Sequence, residues 1–295
     1  MSNRYGRDRG GRESFSGLFF MDKMASKTVS MTRVQTGRPL AQKEDHIAVE
    51  EPLEIRIAGD PVAVTMRTPG DDDRLAVGFL FGEGILSSIE DVGKAVHCGR
   101  SGTPEFGNAI DVLPAPGVSF DLERVQGSRR GSLTTAACGV CGRQSIDDLL
   151  ERCRPITWQG RLSIAEVMGM VGSLRTIQPT FERTGGVHAA AVFSENGSLL
   201  ASYEDIGRHN AVDKVVGALL FDGLIGLRKA AVLAVSGRSS FEIVQKATVA
   251  RIPVVASVSA ASSLAVDLAE EMGITLAGFV RKGRLNLYTG QERVV

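Results

Sequence analysis

Cys138 and Cys141 are separated by two residues, and a glycine follows each of them. Two thiols at this spacing on a glycine-rich loop indicate either metal binding or sulfur chemistry. Four chemistries compete for the pair: a structural zinc site, a thioredoxin-like redox site, a zinc site of the deaminase type, and the carriage of sulfur on a thiolate.

Metal and redox chemistry need neighbours that the sequence does not supply. A structural zinc ion takes four ligands, but Cys98 and Cys153 stand alone and the four histidines are scattered, so we expect no metal site. A redox C-x-x-C motif follows a core strand, whereas residues 133–137 are too small and polar to predict one. The deaminase signature places H-x-E before P-C-x-x-C, and His188 follows the cysteines and lacks the glutamate.

Sulfur carriage agrees best with the local sequence. In this chemistry a thiolate attacks a donor persulfide, holds the terminal sulfur as Cys-S-SH and passes it to an acceptor. The glycines give access to the sulfur atoms, and Arg143 favours the thiolate over a thiol whose unperturbed pKa is about 8.5. A second cysteine allows release of the sulfur through a disulfide, or a handover between the two residues.

The overall composition excludes several classes of function. Lys and Arg together number 34, as do Asp and Glu, so no net charge directs the chain to nucleic acid or to an anionic membrane surface. Its apolar runs are too short to span a bilayer, and four cysteines suggest no disulfide framework, which favours a reducing cytoplasm. We expect a homodimer, because two-fold dimers are the commonest assembly.

The sequence pattern predicts a disordered extension followed by two domains. Residues 1–30 are rich in Gly, Ser and Arg and are predicted to be disordered. Alternating apolar residues in 53–66 predict a β-hairpin, and with a following helix they indicate a small strand-rich α+β domain at residues 31–130. Residues 131–295 form the second predicted domain. Within it, Ser163 and Glu166 form a capping box at the start of a helix.

The last third of the chain repeats strand and helix. Strands are predicted at 230–235, 253–258 and 274–280, with helices at 241–251 and 264–272 between them. This βαβαβ series indicates an α/β fold with a mixed, largely parallel sheet. In such sheets ligands bind beyond the carboxyl ends of the strands.

Small and basic residues follow these strands and are candidates for a phosphate site. Serine-rich loops with free helix amides can hold a phosphate, although the serines can equally be helix N-caps. Neither loop matches a P-loop or a G-x-G-x-x-G motif.

Arg208 can bind phosphate, while His209 and His188 either line the site or are structural. Asp205 either contacts a guanine edge or is structural, and Asn210 is a candidate cap. The remaining candidates are Ser236, Gly237 and Arg238 after the first of these strands and the basic turn Phe279, Val280, Arg281, Lys282, Gly283 and Arg284, for which a plain surface turn is the alternative.

Four segments together resemble one protein family. They are Leu133 to Gly142, Thr184 to Ala191, Glu204 to Lys214 and Ser236 to Glu242, and they are similar to those of the FdhD family of formate dehydrogenase accessory sulfurtransferases. The similarity extends over about residues 45 to 290. It implies a cytidine-deaminase-like three-layer domain without the zinc site.

The resemblance also implies a function. Members accept sulfur from a cysteine desulfurase and deliver it to the molybdenum bis-molybdopterin guanine dinucleotide cofactor before its insertion into the formate dehydrogenase catalytic subunit. It assigns the persulfide to Cys138, with Cys141 as its partner, and it assigns cofactor binding to the turn from Phe279 to Arg284, where GDP-like nucleotides can also bind. A noncatalytic chaperone that binds and hands over the cofactor is the alternative.

Overall fold

The computed structural model describes residues 25–99, 102, 106–120, 153–226 and 229–295. Cys138 and Cys141 lie outside the described residues, as does the predicted domain boundary at 130. The described chain forms three sheets of two, four and six strands.

The first sheet is a ribbon of β1 (Ser26–Arg33) and β2 (Ala41–Ala48), paired antiparallel over eight residues with most side chains exposed. Residues 26–30 were predicted as part of the disordered extension, and this prediction is wrong. Cross-strand pairing with β2 orders them, although the sequence lacks the apolar alternation of a strand that covers a core.

The four-stranded sheet confirms the predicted hairpin. It contains β3 (Glu51–Ile57), β4 (Asp60–Arg67), β5 (Val92–His97) and β6 (Ala109–Pro114) in the order β4-β3-β6-β5. Strand β3 pairs antiparallel with β4 and parallel with β6. Helix α1 (Asp72–Gly82) follows β4.

The six-stranded sheet holds the predicted βαβαβ series. Strands β7 (His188–Ser194), β8 (Leu199–Asp205), β9 (Ala230–Val235), β10 (Val254–Ser257), β11 (Thr275–Arg281) and β12 (Arg284–Thr289) lie in the order β12-β11-β10-β9-β7-β8. The mixed sheet is confirmed, but "largely parallel" is wrong, because only β9, β10 and β11 run parallel. Hairpin turns return β8 beside β7 and β12 beside β11, and β7 lies antiparallel to β9.

Five further helices accompany these strands in the described chain: α2 (Ile164–Ser173), α3 (Pro179–Thr184), α4 (Arg208–Phe221), α5 (Phe241–Val249) and α6 (Ser263–Glu271). Helix α2 begins with the predicted capping box, since Ser163 Oγ accepts the Glu166 amide and Glu166 accepts the Ser163 amide at 2.7 Å. Short 3-10 turns lie at Ile89–Asp91, Leu174–Ile177 and Gln291–Arg293.

Two hydrophobic clusters cover opposite faces of the six-stranded sheet, which gives the predicted three layers. Helices α1, α4, α5 and α6 pack on one face, and α2 packs on the other. The first cluster also includes residues of the four-stranded sheet, so one core joins the two predicted domains. The division into domains and the likeness to cytidine deaminase stay predictions.

Glycines allow α1 and α4 to pack closely. A Cβ on Gly78 would lie 1.9 Å from the Asp213 carbonyl oxygen, and one on Gly217 would lie 2.0 Å from the Arg74 carbonyl oxygen. Both distances are far below contact, so any side chain would push the helices apart. Glycine at both positions therefore allows the close contact between α1 and α4.

Candidate functional site

Most of the predicted ligand residues lie along one edge of the six-stranded sheet. Strands β9, β10 and β11 end there, and the antiparallel β7 and β12 begin there, as the pairings of Ala190 with Val235 and of Arg281 with Arg284 show. Strand β8 ends there too, because His188 pairs with Asp205. We call this the carboxyl edge; it comprises His188, residues 205–209, 236–240 and 257–263, and residues 279–284.

Arg208 is the first residue of α4, and part of its guanidinium is buried without a partner. Its Nε atom is inaccessible to solvent and makes no hydrogen bond in the described structure. A Cβ added to Gly237 would lie 3.5 Å from Arg208 Cδ and 3.4 Å from His188 Nδ1. A buried N–H without an acceptor costs free energy, so this arrangement suits an anion that supplies the acceptor.

His188 is the first residue of β7 and is half-buried. Its ring lies near Arg208, across Gly237. Burial lowers the pKa of His188, and the positive charge of Arg208 lowers it further, against the smaller opposing effect of Asp205. The imidazole is therefore neutral at pH 7, and its ring can donate or accept a hydrogen bond without adding charge.

His209 is buried and holds two hydrogen-bond partners. Its Nδ1 atom lies 2.6 Å from Glu242 Oε2, and its Nε2 atom lies 3.1 Å from Ser240 Oγ. Burial alone would raise the pKa of Glu242, but the hydrogen bond from His209, with smaller effects of Lys246 and Arg208, lowers it. His209 was predicted as a cofactor ligand, and its ring nitrogens instead contact protein groups.

The serines of the loops after β9 and β10 differ in their hydrogen bonds. Ser262 caps α6 by accepting the Ala265 amide at 3.4 Å, which confirms the N-cap interpretation there. Ser236 Oγ accepts the Ala189 amide at 2.9 Å, and Ser257 donates to the Ser259 carbonyl at 2.8 Å. Ser239 is fully buried and its hydroxyl has no partner in the described structure.

The basic turn connects two strands and does not follow the last one. Phe279 to Arg281 close β11 and Arg284 opens β12, a strand that the sequence analysis missed. Phe279 has a φ of 51°, and its amide donates to the Ser259 carbonyl at 2.9 Å. Val280 is buried in the core, so its side chain cannot contact a ligand. The solvent-exposed members are Arg281, Lys282, Gly283 and Arg284, as is Arg238 in the neighbouring loop.

Asp205 and Asn210 are structural. Asp205 is buried and pairs with Lys214 at 2.8 Å, and it accepts the Gly207 amide at 2.9 Å. Asn210 donates to Met66 O at 2.8 Å and accepts from Thr65 at 3.0 Å. The two residues attach α4 to β4, so the interpretation of Asn210 as a cap is wrong and Asp205 is not available to a guanine.

Glu242 was missed as a site residue, because its partner lies 33 positions away and no local pattern joins them. Cys153 is buried in the core, and Cys98 is half-buried, with a thiol whose pKa burial raises. No group of His, Cys, Asp and Glu suited to a metal ion occurs within the described ranges. Among the described helices, none has the length and apolar character to cross a membrane.

Comparisons with known proteins agree with the resemblance. The FdhD/NarQ family model matches residues 48–295. The sulfur carrier protein FdhD of Anaeromyxobacter dehalogenans (strain 2CP-C) is 56% identical over 255 residues, covering 85% of this chain and 88% of that protein. The sulfur carrier protein FdhD of Streptomyces avermitilis is 46% identical over 268 residues, covering 89% and 93%.

A crystal structure from Desulfotalea psychrophila, described as a formate dehydrogenase accessory protein, matches with a TM-score of 0.72 and 26% identity, covering 92% of this chain and 100% of that one. The sequence and structural similarities thus extend over both predicted domains. This chain belongs to the FdhD/NarQ family.

Proposed function

We propose that this protein is a cytoplasmic sulfur carrier that takes sulfur from a cysteine desulfurase on Cys138. The acceptor is the molybdenum bis-molybdopterin guanine dinucleotide cofactor of formate dehydrogenase, and it binds at the carboxyl edge as a substrate. Support comes from family membership and from relatives named as sulfur carriers. The carboxyl edge adds exposed cations that suit the pyrophosphates of such a ligand.

The proposed cycle uses both cysteines and a cellular dithiol as the reductant. The Cys138 thiolate attacks the terminal sulfur of the desulfurase persulfide, the sulfur–sulfur bond of the donor breaks, and the donor cysteine leaves as a thiolate. The Cys141 thiolate then attacks the inner sulfur of Cys138, which forms a disulfide and releases HS⁻ to the acceptor. A cellular dithiol reduces the disulfide for the next cycle.

The buried, unpaired Nε of Arg208 carries the acceptor part of the proposal. The buried Arg and Lys side chains among the described residues each have a carboxylate partner: Arg67 has Asp72, Lys214 has Asp205 and Lys246 has Asp213. A phosphate oxygen would complete the hydrogen bonding of Arg208. Gly237 packs against Arg208 Cδ and His188 Nδ1, so both side chains lie at the loop after β9.

Loading with sulfur tests the carrier role. The protein is incubated with a cysteine desulfurase and cysteine, and its intact mass is measured. We expect a gain of one sulfur atom in the wild type and in Cys98→Ala, but not in Cys138→Ala. Cys98 is the matched control because the raised pKa of its thiol disfavours the reactive thiolate.

Cofactor binding without loading would instead favour the chaperone alternative. No mass gain with any persulfide donor, together with a GDP-induced rise in melting temperature, would contradict sulfur carriage and leave a cofactor-binding protein.

A further inference from the structure

Ser240, His209 and Glu242 form a chain of hydrogen bonds at the carboxyl edge. Ser240 Oγ lies 3.1 Å from His209 Nε2, and Glu242 Oε2 lies 2.6 Å from His209 Nδ1. In the tautomer that donates Nδ1–H to the carboxylate, Nε2 is the acceptor and the serine hydroxyl donates to it. A hydroxyl bonded to a histidine that an acid orients is the arrangement of an activated serine nucleophile.

The position of Ser240 in its helix separates this arrangement from ordinary capping. Ser163 and Ser262 begin α2 and α6, and each accepts an amide of its own helix. Ser240 begins α5 with the same extended backbone, yet its hydroxyl makes no capping bond. The hydroxyl is directed to His209, which leaves the first-turn amides of α5 without a side-chain cap.

The surroundings favour a negatively charged electrophile. Arg208 directly precedes His209, carries the unpaired Nε and approaches Gly237, three residues before Ser240. The uncapped amides at the start of α5 also favour negative charge. A phosphoryl group meets both demands, since its oxygens accept from the guanidinium and from amides while phosphorus faces the hydroxyl.

We propose that Ser240 attacks the phosphorus of a phosphate ester or anhydride, with His209 as general base and Glu242 as the residue that positions the imidazole. The Ser240 hydroxyl proton passes to His209 Nε2, and a bond forms between Oγ and phosphorus. The bond from phosphorus to the leaving oxygen breaks, and that oxygen takes the proton from His209. The reaction needs no thiol, so it is independent of the proposed sulfur carriage.

A fluorophosphonate probe tests this proposal, because it reports a nucleophilic serine by releasing fluoride and leaving a phosphonyl adduct. The full chain carries Cys138→Ala and Cys141→Ala, so the outcome does not depend on the sulfur chemistry. Peptide mapping should place one adduct on Ser240. In His209→Gln the labelling rate should fall about 10²-fold or more, while Glu242→Gln should lower the maximal rate without changing the probe concentration at half-maximal rate.

Thr28 and His46 provide a matched control within the same molecule. Thr28 Oγ1 lies 3.2 Å from His46 Nδ1, but the pair is exposed. Labelling should be absent from Thr28 and unchanged in His46→Gln. The absence of an adduct on Ser240, or an unchanged rate in folded His209→Gln, would overturn the proposal. If His209→Gln unfolds the chain, the test is whether the adduct lies on Ser240 in the protein that keeps His209.

Discussion

Among the described residues, positively charged side chains form ion pairs in the interior of the molecule but not at its carboxyl edge. In the interior, Arg67, Lys214 and Lys246 are almost fully buried, and each forms an ion pair with a buried aspartate. At the carboxyl edge, Arg208 and the exposed cations of residues 238 and 281–284 have no ion pair among the described residues. The interior cations hold elements together, whereas the edge cations are available to a ligand.

Residues that lie close together on one helix differ in role in the same way. Arg208, His209, Asn210 and Lys214 all lie on α4 within seven positions. Asn210 and Lys214 connect α4 to β4 and β8 through buried bonds, but Arg208 and His209 belong to the edge. Substitutions on one helix can therefore test the two roles separately.

Removing an interior cation should have the largest effect. Lys214→Ala leaves Asp205 buried without its partner and also removes the bond to the Thr68 carbonyl at 3.0 Å. We expect a loss of about 3–5 kcal/mol in the free energy of unfolding, measured by urea denaturation. The exposed Lys229→Ala should stay within about 0.5 kcal/mol. Equal stability of the two variants would contradict the interior role.

The pair of Asp213 and Lys246 predicts a pH-dependent stability. Burial raises the pKa of Asp213 to about 6, against the opposing charge of Lys246. An acid with a raised native pKa adds stability below its unfolded pKa of about 3.9, and this is lost as pH rises through about 6. Relative to Asp213→Asn, the wild type should lose about 2 kcal/mol between pH 4 and pH 7. A constant difference in unfolding free energy would contradict this assignment.

Removing the edge cation should affect ligand binding more than stability. Arg208→Ala should weaken GDP binding by about 1.5–3 kcal/mol, since a charge-assisted hydrogen bond is lost. Without nucleotide its stability should equal or exceed that of the wild type, because no unsatisfied buried N–H remains. Calorimetry measures the affinity, with the exposed Arg175→Ala as control. A destabilised variant with normal GDP affinity would place Arg208 among the interior residues.

The exposed basic turn should contribute least. Arg281→Ala should lower the GDP-induced rise in melting temperature by an amount equivalent to at most about 1 kcal/mol, because its charge is solvated. The difference should shrink as salt is added. A salt-independent effect as large as that of Arg208→Ala would contradict this ranking.

Local patterns predicted most of the secondary structure. The hairpin at 53–66 and the βαβαβ series each have a period of apolar residues that sets them apart. The ribbon of β1 and β2 was missed because neither face covers a core. Strand β12 was missed although Leu285 and Leu287 alternate with polar residues, because the basic turn before it was interpreted as a loop end.

The site could be predicted only in part. Residue types placed Arg208, His209 and the serine loops at strand ends, where parallel pairing gathers them. The bond from His209 to Glu242 and the missing acceptor at Arg208 depend on tertiary packing, which no local spacing encodes. The role of Gly78 also depends on tertiary packing. Only the position of α4 shows that this glycine allows a close helix contact and does not merely weaken α1.

Discharge of a loaded sulfur tests the central claim most directly, because it joins Cys138 to the carboxyl edge. Wild type and Arg208→Ala are first loaded with sulfur and then mixed with the sulfur-free molybdenum cofactor and with formate dehydrogenase that lacks it, and intact mass is followed with time. We predict that both load equally, that the wild type loses the sulfur as dehydrogenase activity appears, and that Arg208→Ala retains it. Discharge of Arg208→Ala at the wild-type rate would contradict the account.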